Sequence, residues 1–130
     1  MVNKTKRSSK WIPTKKNSQS AGVHIIAELW GVVDIKDPKK FEKMLLDAAI
    51  LAKAQPLKVY VHKFLPQGMT GVVVLAESHI TFHTWPEMKY FALDIFTCGE
   101  HSEPYKALDH FKQILKPKSI QVIEIKRGVE

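Results

Sequence analysis

The sequence predicts an α+β fold: a two-layer sandwich in which an antiparallel sheet carries two helices on one face. Three observations predict it. Segments of strand character recur along the chain in the order βαββββαβ. Only two segments show helical periodicity, too few to cover both faces of so much sheet. At 130 residues with 45% hydrophobic content there is material for one core and not two. The uncovered face calls for a cover, and a second copy of the chain is the simplest one, so a dimer is expected.

From Val23, VHIIAELWGV is rich in β-branched and aromatic residues and reads as a strand. Asp37-Pro38 opens a helix, with Asp as N-cap and Pro in the first turn. FEKMLLDAAILAKA follows with apolar residues at Phe41, Met44, Leu45, Ala48, Leu51 and Ala52, a helical repeat that Pro56 ends. LKVYVHKFL alternates as a strand until Pro66-Gln67-Gly68 breaks it. GVVVLA is a near-continuous apolar run suited to a central strand. ESHITFHTW continues with no Gly or Pro between, Pro86 interrupts, and KYFALDIFTC resumes strand character. Pro104 begins YKALDHFKQILK, whose Leu108, Phe111, Ile114 and Leu115 have helical spacing. SIQVIEIK closes the chain as an alternating strand.

Charge divides the chain. The net charge is +7, and Lys4, Lys6, Arg7, Lys10, Lys15 and Lys16 all precede the first acid, Glu28. A nearly neutral domain over residues 22–130 is therefore expected behind a basic, disordered arm over 1–21. Such an arm can touch nucleic acid non-specifically but does not define a nucleic-acid-binding protein. No apolar run is long enough for a transmembrane helix, and the N-terminal stretch lacks the apolar segment of a secretory signal. The single cysteine, Cys98, excludes an internal disulfide framework. These features suit a cytoplasmic protein.

The chemistry-bearing residues concentrate in Glu77-Ser78-His79-Ile80-Thr81-Phe82-His83-Thr84-Trp85-Pro86-Glu87. Extended, this stretch puts His79, Thr81 and His83 on one face and Ile80 and Phe82 on the other. Three readings follow. Zinc held by His79, His83 and Cys98 is disfavoured, because strand residues four apart stand roughly 13 Å from one another; no metal is expected. The histidines can be ordinary sheet residues satisfied by local hydrogen bonds. Alternatively, Ser78, His83 and Cys98 form an acid-base and nucleophile set, since a serine hydroxyl needs activation, and thiol and imidazole move protons near neutral pH. Spacing alone leaves the last two open.

The string AESHITFHTWPE, with Cys98 following in LDIFTCGE, closely resembles the short prokaryotic S-adenosylmethionine decarboxylase proenzymes. The resemblance runs from about Gly22 to Gly128 and includes HKFLP, GVVVLAESH and IEIKRG. It implies autocatalytic cleavage at Glu77–Ser78, giving a β chain of residues 1–77 and an α chain of 78–130. It further implies a covalent pyruvoyl cofactor, derived from Ser78, that forms a Schiff base with the substrate amine. By the same resemblance His83 is the proton acceptor in processing and Cys98 the proton donor in decarboxylation. Thr70 takes the place of a processing serine. Phe64 and Trp85 match the rings that stack on adenine, Glu87 a carboxylate near the nucleoside, and Glu28 an acid near the active site. The family feeds spermidine, hence polyamine, biosynthesis and builds its active site at a dimer interface.

The chain departs from the family where Met88-Lys89 replaces a frequent Tyr-Gly after WPE. Relatives of this scaffold decarboxylate arginine or ornithine, so these are the alternative substrates. Retention of Phe64 and Trp85 favours a substrate with an adenine ring. A non-catalytic regulatory homologue is the remaining alternative, and intact Glu77, Ser78, His83 and Cys98 argue against it.

Overall fold

A computed structural model describes residues 21–129. The predicted order is observed: β1 (Gly22–Trp30), α1 (Pro38–Leu51), β2 (Pro56–Lys63), β3 (Met69–Leu75), β4 (Ser78–Trp85), β5 (Tyr90–Cys98), α2 (Pro104–Leu115) and β6 (Ser119–Arg127). The strands form one antiparallel sheet in the order β2-β3-β4-β5-β1-β6. The basic arm expected over residues 1–21 lies outside the described residues apart from Ala21, whose N–H donates to Arg127 O.

Period-two alternation explains the layering. Ile25, Ala27 and Leu29 on β1, Val73 and Leu75 on β3, Ile80 and Phe82 on β4, and Phe91, Leu93 and Ile95 on β5 are all buried on one face. Both helices cover that face. Phe41 of α1 meets Phe82 at 4.8 Å between ring centroids, and Phe111 of α2 meets Phe91 at 5.8 Å. The helix starts follow their sequence signals: the Asp37 side chain accepts from Lys39 N, and Pro38 and Pro104 each sit in a first turn, where no N–H is missed. The opposite, outer face carries His24, Ile26, Glu28 and Trp30 of β1, His79, Thr81, His83 and Trp85 of β4, and Tyr90, Ala92, Asp94, Phe96 and Cys98 of β5.

Two local expectations are corrected, and one expected junction takes a specific form. The first helix ends at Leu51, because Lys53 takes a left-handed φ of 60° and Ala54 N closes on Ala49 O. Pro56 therefore does not end the helix but opens β2, a position open to proline at the start of an edge strand. The run from GVVVLA into ESHITFHTW folds back on itself. Leu75 pairs with Ser78, so Ala76-Glu77 is a two-residue hairpin turn made without Gly or Pro.

Gly71 is where the core is least forgiving. A Cβ there would stand 2.3 Å from Phe82 Cε2, and Phe82 is fully buried among Phe41 and Phe91. Gly71→Ala should therefore displace the Phe82 ring and destabilise the domain by about 1–3 kcal/mol. Urea denaturation should show the midpoint falling.

Candidate active site

Ser78 begins β4 immediately after the hairpin turn. Its φ is 151°, in the region that ordinarily belongs to glycine. The turn is held on both sides by the loop after α1: Ala76 N donates to Gln55 O, and Gln55 N donates to Glu77 Oε1 at 3.0 Å. Glu77 and Ala76 are thus anchored while the backbone at Ser78 is strained. Ser78 Oγ lies 3.2 Å from Cys98 Sγ, within reach of a thiol–hydroxyl hydrogen bond. Cys98 ends β5, and the loop behind it is closed by Ser102 Oγ, which donates to Thr97 Oγ1 and Gly99 O. Gly22 opposes Cys98 on β1. A Cβ on Gly22 would come 3.0 Å from the thiol sulfur and 2.8 Å from a Phe96 ring carbon, so glycine leaves the thiol its room.

A second cluster lies at the other end of the same face. His83 Nδ1 is 2.9 Å from Thr70 Oγ1 on the paired strand β3, so one ring nitrogen is held and Nε2 is left to act. His83, Thr70, Phe64, Trp85 and Glu87 line one cavity of about 250 Å³. Phe64 reaches it from the turn after β2, where Phe64 N donates to Gly68 O. Glu87 reaches it from a short 3-10 turn over Pro86–Met88. Trp85 is 39% exposed and Phe64 48%, more than core rings allow, so both present free ring surface. Lys89, which replaces a frequent family glycine, lines a different cavity on the helix side with Phe41 and Leu115.

Not all residues predicted to act together meet within one chain. Ser78 and Cys98 do; Thr70, His83, Phe64, Trp85 and Glu87 do. The five residue steps from Ser78 to His83 along an extended strand separate the two clusters by about 16 Å. Glu28 does not line that cavity but lies in the same cross-strand row as His83, with Ala92 between them. Tyr90, which the sequence reading passed over, donates its hydroxyl to Glu28. Its signal was its parity with Ala92 on β5, and that is informative only once the register is known. Gln55 was also missed; as backbone-mediated anchoring it leaves no side-chain signature. Between the clusters, His24 Nε2 is 2.9 Å from Asp94 Oδ2, and His79 stands edge-on to His24 with ring centroids 6.5 Å apart.

Among the described residues no group of three His, Cys, Asp or Glu side chains is arranged to hold a metal ion. A cofactor made from Ser78 fits what is present: a serine at a glycine-type φ and a hydroxyl in hydrogen-bond reach of a thiol.

A family profile described as S-adenosylmethionine decarboxylase matches residues 23–128. The chain is 51% identical over 110 residues to an S-adenosylmethionine decarboxylase proenzyme of Methanococcus maripaludis (strain C5), covering 83% of this chain and 90% of that protein. It is 44% identical over 110 residues to one of Caldicellulosiruptor saccharolyticus, covering 83% and 89%. The crystal structure of the adenosylmethionine decarboxylase from Aquifex aeolicus superimposes with a TM-score of 0.80 at 37% identity, over 86% of this chain and 94% of that one.

His79 makes stability depend on pH. Burial, then His24 and Arg127, lower the His79 pKa from 6.5, with Asp94 opposing them. A histidine with a lowered folded pKa binds fewer protons in the folded state. Its contribution is complete above the unfolded value and is lost as the pH falls through the folded value. Urea midpoints should therefore drop more steeply from about pH 7 to about pH 5 in the wild type than in His79→Asn. Equal slopes in the two proteins would contradict this assignment.

Proposed function

The chain belongs to the S-adenosylmethionine decarboxylase family, and on that premise we propose that it cuts itself between Glu77 and Ser78 and then decarboxylates S-adenosylmethionine. The observation that carries the proposal is Ser78 itself, held at φ 151° at a hairpin junction with its hydroxyl 3.2 Å from the Cys98 thiol. An amide is a poor acyl donor, and strain in the bond's own backbone lowers the barrier to rearrangement.

Ser78 Oγ attacks the Glu77 carbonyl carbon, and the peptide becomes an ester as the Ser78 nitrogen takes a proton. Removal of the Ser78 Cα proton then expels the Glu77 carboxylate. The dehydroalanine that remains hydrolyses, with loss of ammonia, to the pyruvoyl group. Glu77 stays anchored to Gln55 while the bond beside it breaks. For His83 Nε2 to accept the Cα proton, Nδ1 must carry the ring hydrogen and donate to Thr70 Oγ1, a role the 2.9 Å contact supports. The pyruvoyl carbonyl supplies the electron sink for the charge left when carbon dioxide departs. Cys98 is the proton donor to that carbon, a role its place beside Ser78 supports.

Phe64 and Trp85 take the adenine, Glu87 binds ribose hydroxyls, and Glu28 faces the positive sulfonium. The product serves as an aminopropyl donor for spermidine synthesis, a cytoplasmic reaction.

One subunit cannot bring His83 to its own Ser78 across about 16 Å. Two copies packed by their outer faces about a two-fold axis set the Ser78–Cys98 cluster of one against the Thr70–His83–Trp85 cluster of the other, twice. The exposed Trp30, Val74, Trp85 and Ile125 of that face support such a contact.

Purified wild-type protein should run as two fragments whose masses place the cut after Glu77, and should release carbon dioxide from carboxyl-labelled S-adenosylmethionine. Ser78→Ala should stay one inactive chain. Cys98→Ala should be cut yet turn over at least about a hundredfold slower. Carbon dioxide from arginine or ornithine in place of S-adenosylmethionine would reassign the substrate.

Co-expression provides the test of the shared site. Ser78→Ala and His83→Ala chains should each remain uncut alone, whereas together they should yield cleaved His83→Ala chain. If the mixture stays uncut, the two clusters do not meet across a dimer.

A further inference from the structure

Three aromatic rings stand in one row across three strands of the outer face. The register pairs Trp30 with Tyr90 and Tyr90 with Trp85. Trp30 and Tyr90 stack with centroids 4.3 Å apart and planes 20° from parallel; Tyr90 and Trp85 stack at 5.2 Å and 25°. Tyr90 therefore occupies one face of Trp85. The Trp85 cavity is lined by Phe64, His83 and Glu87 but not by Tyr90, so a base entering it meets the other face.

The Tyr90 hydroxyl leaves this row and donates to Glu28 Oε1 in the next. Between Glu28 and His83 in that row stands only Ala92. Among the described residues no Lys, Arg or His forms an ion pair with Glu28. The carboxylate is thus fixed by a donor that brings no positive charge. Burial first, and then the bond to Glu28, push the Tyr90 pKa up to about 12, so the hydroxyl keeps its proton throughout the working range. A negative charge oriented but not neutralised is the arrangement a cationic ligand requires.

We propose that Tyr90 is a positioning residue that makes the site charge-selective: its hydroxyl holds the Glu28 carboxylate, across Ala92 from His83, to meet a sulfonium, while its ring backs Trp85. This rests on the decarboxylase reading above and adds to it the device by which the substrate's charge, and not only its adenine, is recognised. Tyr90 need not touch the substrate for this. It acts through Glu28 in one direction and Trp85 in the other, and Trp30 closes the stack behind it.

The two roles separate experimentally. The probes are the dimethylsulfonium derivative of deoxyadenosine and methylthioadenosine, which differ by one methyl group and the charge. Neither carries an amino-acid amine, so neither reacts with a pyruvoyl group, and both bind reversibly to the cleaved enzyme. Fragment masses of each variant show whether it has folded and processed.

Wild-type enzyme should prefer the sulfonium. Tyr90→Phe keeps the ring and should cut that preference roughly threefold or more while leaving affinity for the neutral thioether unchanged. Tyr90→Leu should also weaken binding of both nucleosides. Glu28→Gln should cut the preference at least as far as Tyr90→Phe does, and Tyr90→Phe added to it should change nothing further. The proposal is overturned if Tyr90→Phe retains the wild-type preference, or lowers it equally in the Glu28→Gln background. Wild-type enzyme that binds neither nucleoside and releases no carbon dioxide from S-adenosylmethionine would remove the decarboxylase reading, and this proposal with it. A wild type that turns over S-adenosylmethionine while Tyr90→Phe discriminates as well as it does would remove the Tyr90 role alone.

Discussion

The pairing of β4 between β3 and β5 fixes the rest of the molecule. In that register Ile80 and Phe82 face the helices and His79, Thr81, His83 and Trp85 face away. Because side chains alternate, a slip of one residue would push both histidines and Trp85 under Phe41 and expose Phe82 to water. The Phe41–Phe82–Phe91 contact holds the slip off, since no other ring on β4 fills that place. Packing on one face thus sets the chemistry available on the other. Gly71 leaves the room in which Phe82 closes against β3, and in the same register Thr70 meets His83 and Tyr90 meets Trp85.

Much of this was legible in the sequence because punctuation and periodicity agreed. Asp37-Pro38, Pro66-Gln67-Gly68, Pro86 and Pro104 fall at real boundaries, and the two helical repeats bury the residues they mark except Leu51, which is exposed at the end of α1, and Ile114, which is half-buried. The alternation of His79, Thr81 and His83 against Ile80 and Phe82 was visible for the same reason. The turn at Ala76-Glu77 was not visible as a turn, since it uses neither glycine nor proline. Its unusual backbone angle falls on Ser78, the residue after it.

The site was legible as a set of residues and not as a layout. Extended spacing disposes of a zinc centre between His79 and His83, and the same measure separates Ser78 from His83. Ser78 and Cys98 meet because β5 runs back beside β4, a long-range fact that no local pattern carries. Tyr90 escaped notice for a related reason: its neighbours Trp30, Trp85 and Glu28 lie on two other strands. Residues whose importance lies in what they touch become recognisable only when strand order is known.

Strand order has a last consequence. Scission after Glu77 would sort β1, β2 and β3 into one polypeptide and β4, β5 and β6 into the other, yet β1 lies between β5 and β6. The pieces would be interlaced, joined along three separate ladders: β3 with β4, β5 with β1, and β1 with β6. Pulling them apart would mean dissolving most of the sheet and the common core beneath it. A protein laced in this way can sever its own backbone and lose only a loop closure, remaining one body made of two molecules.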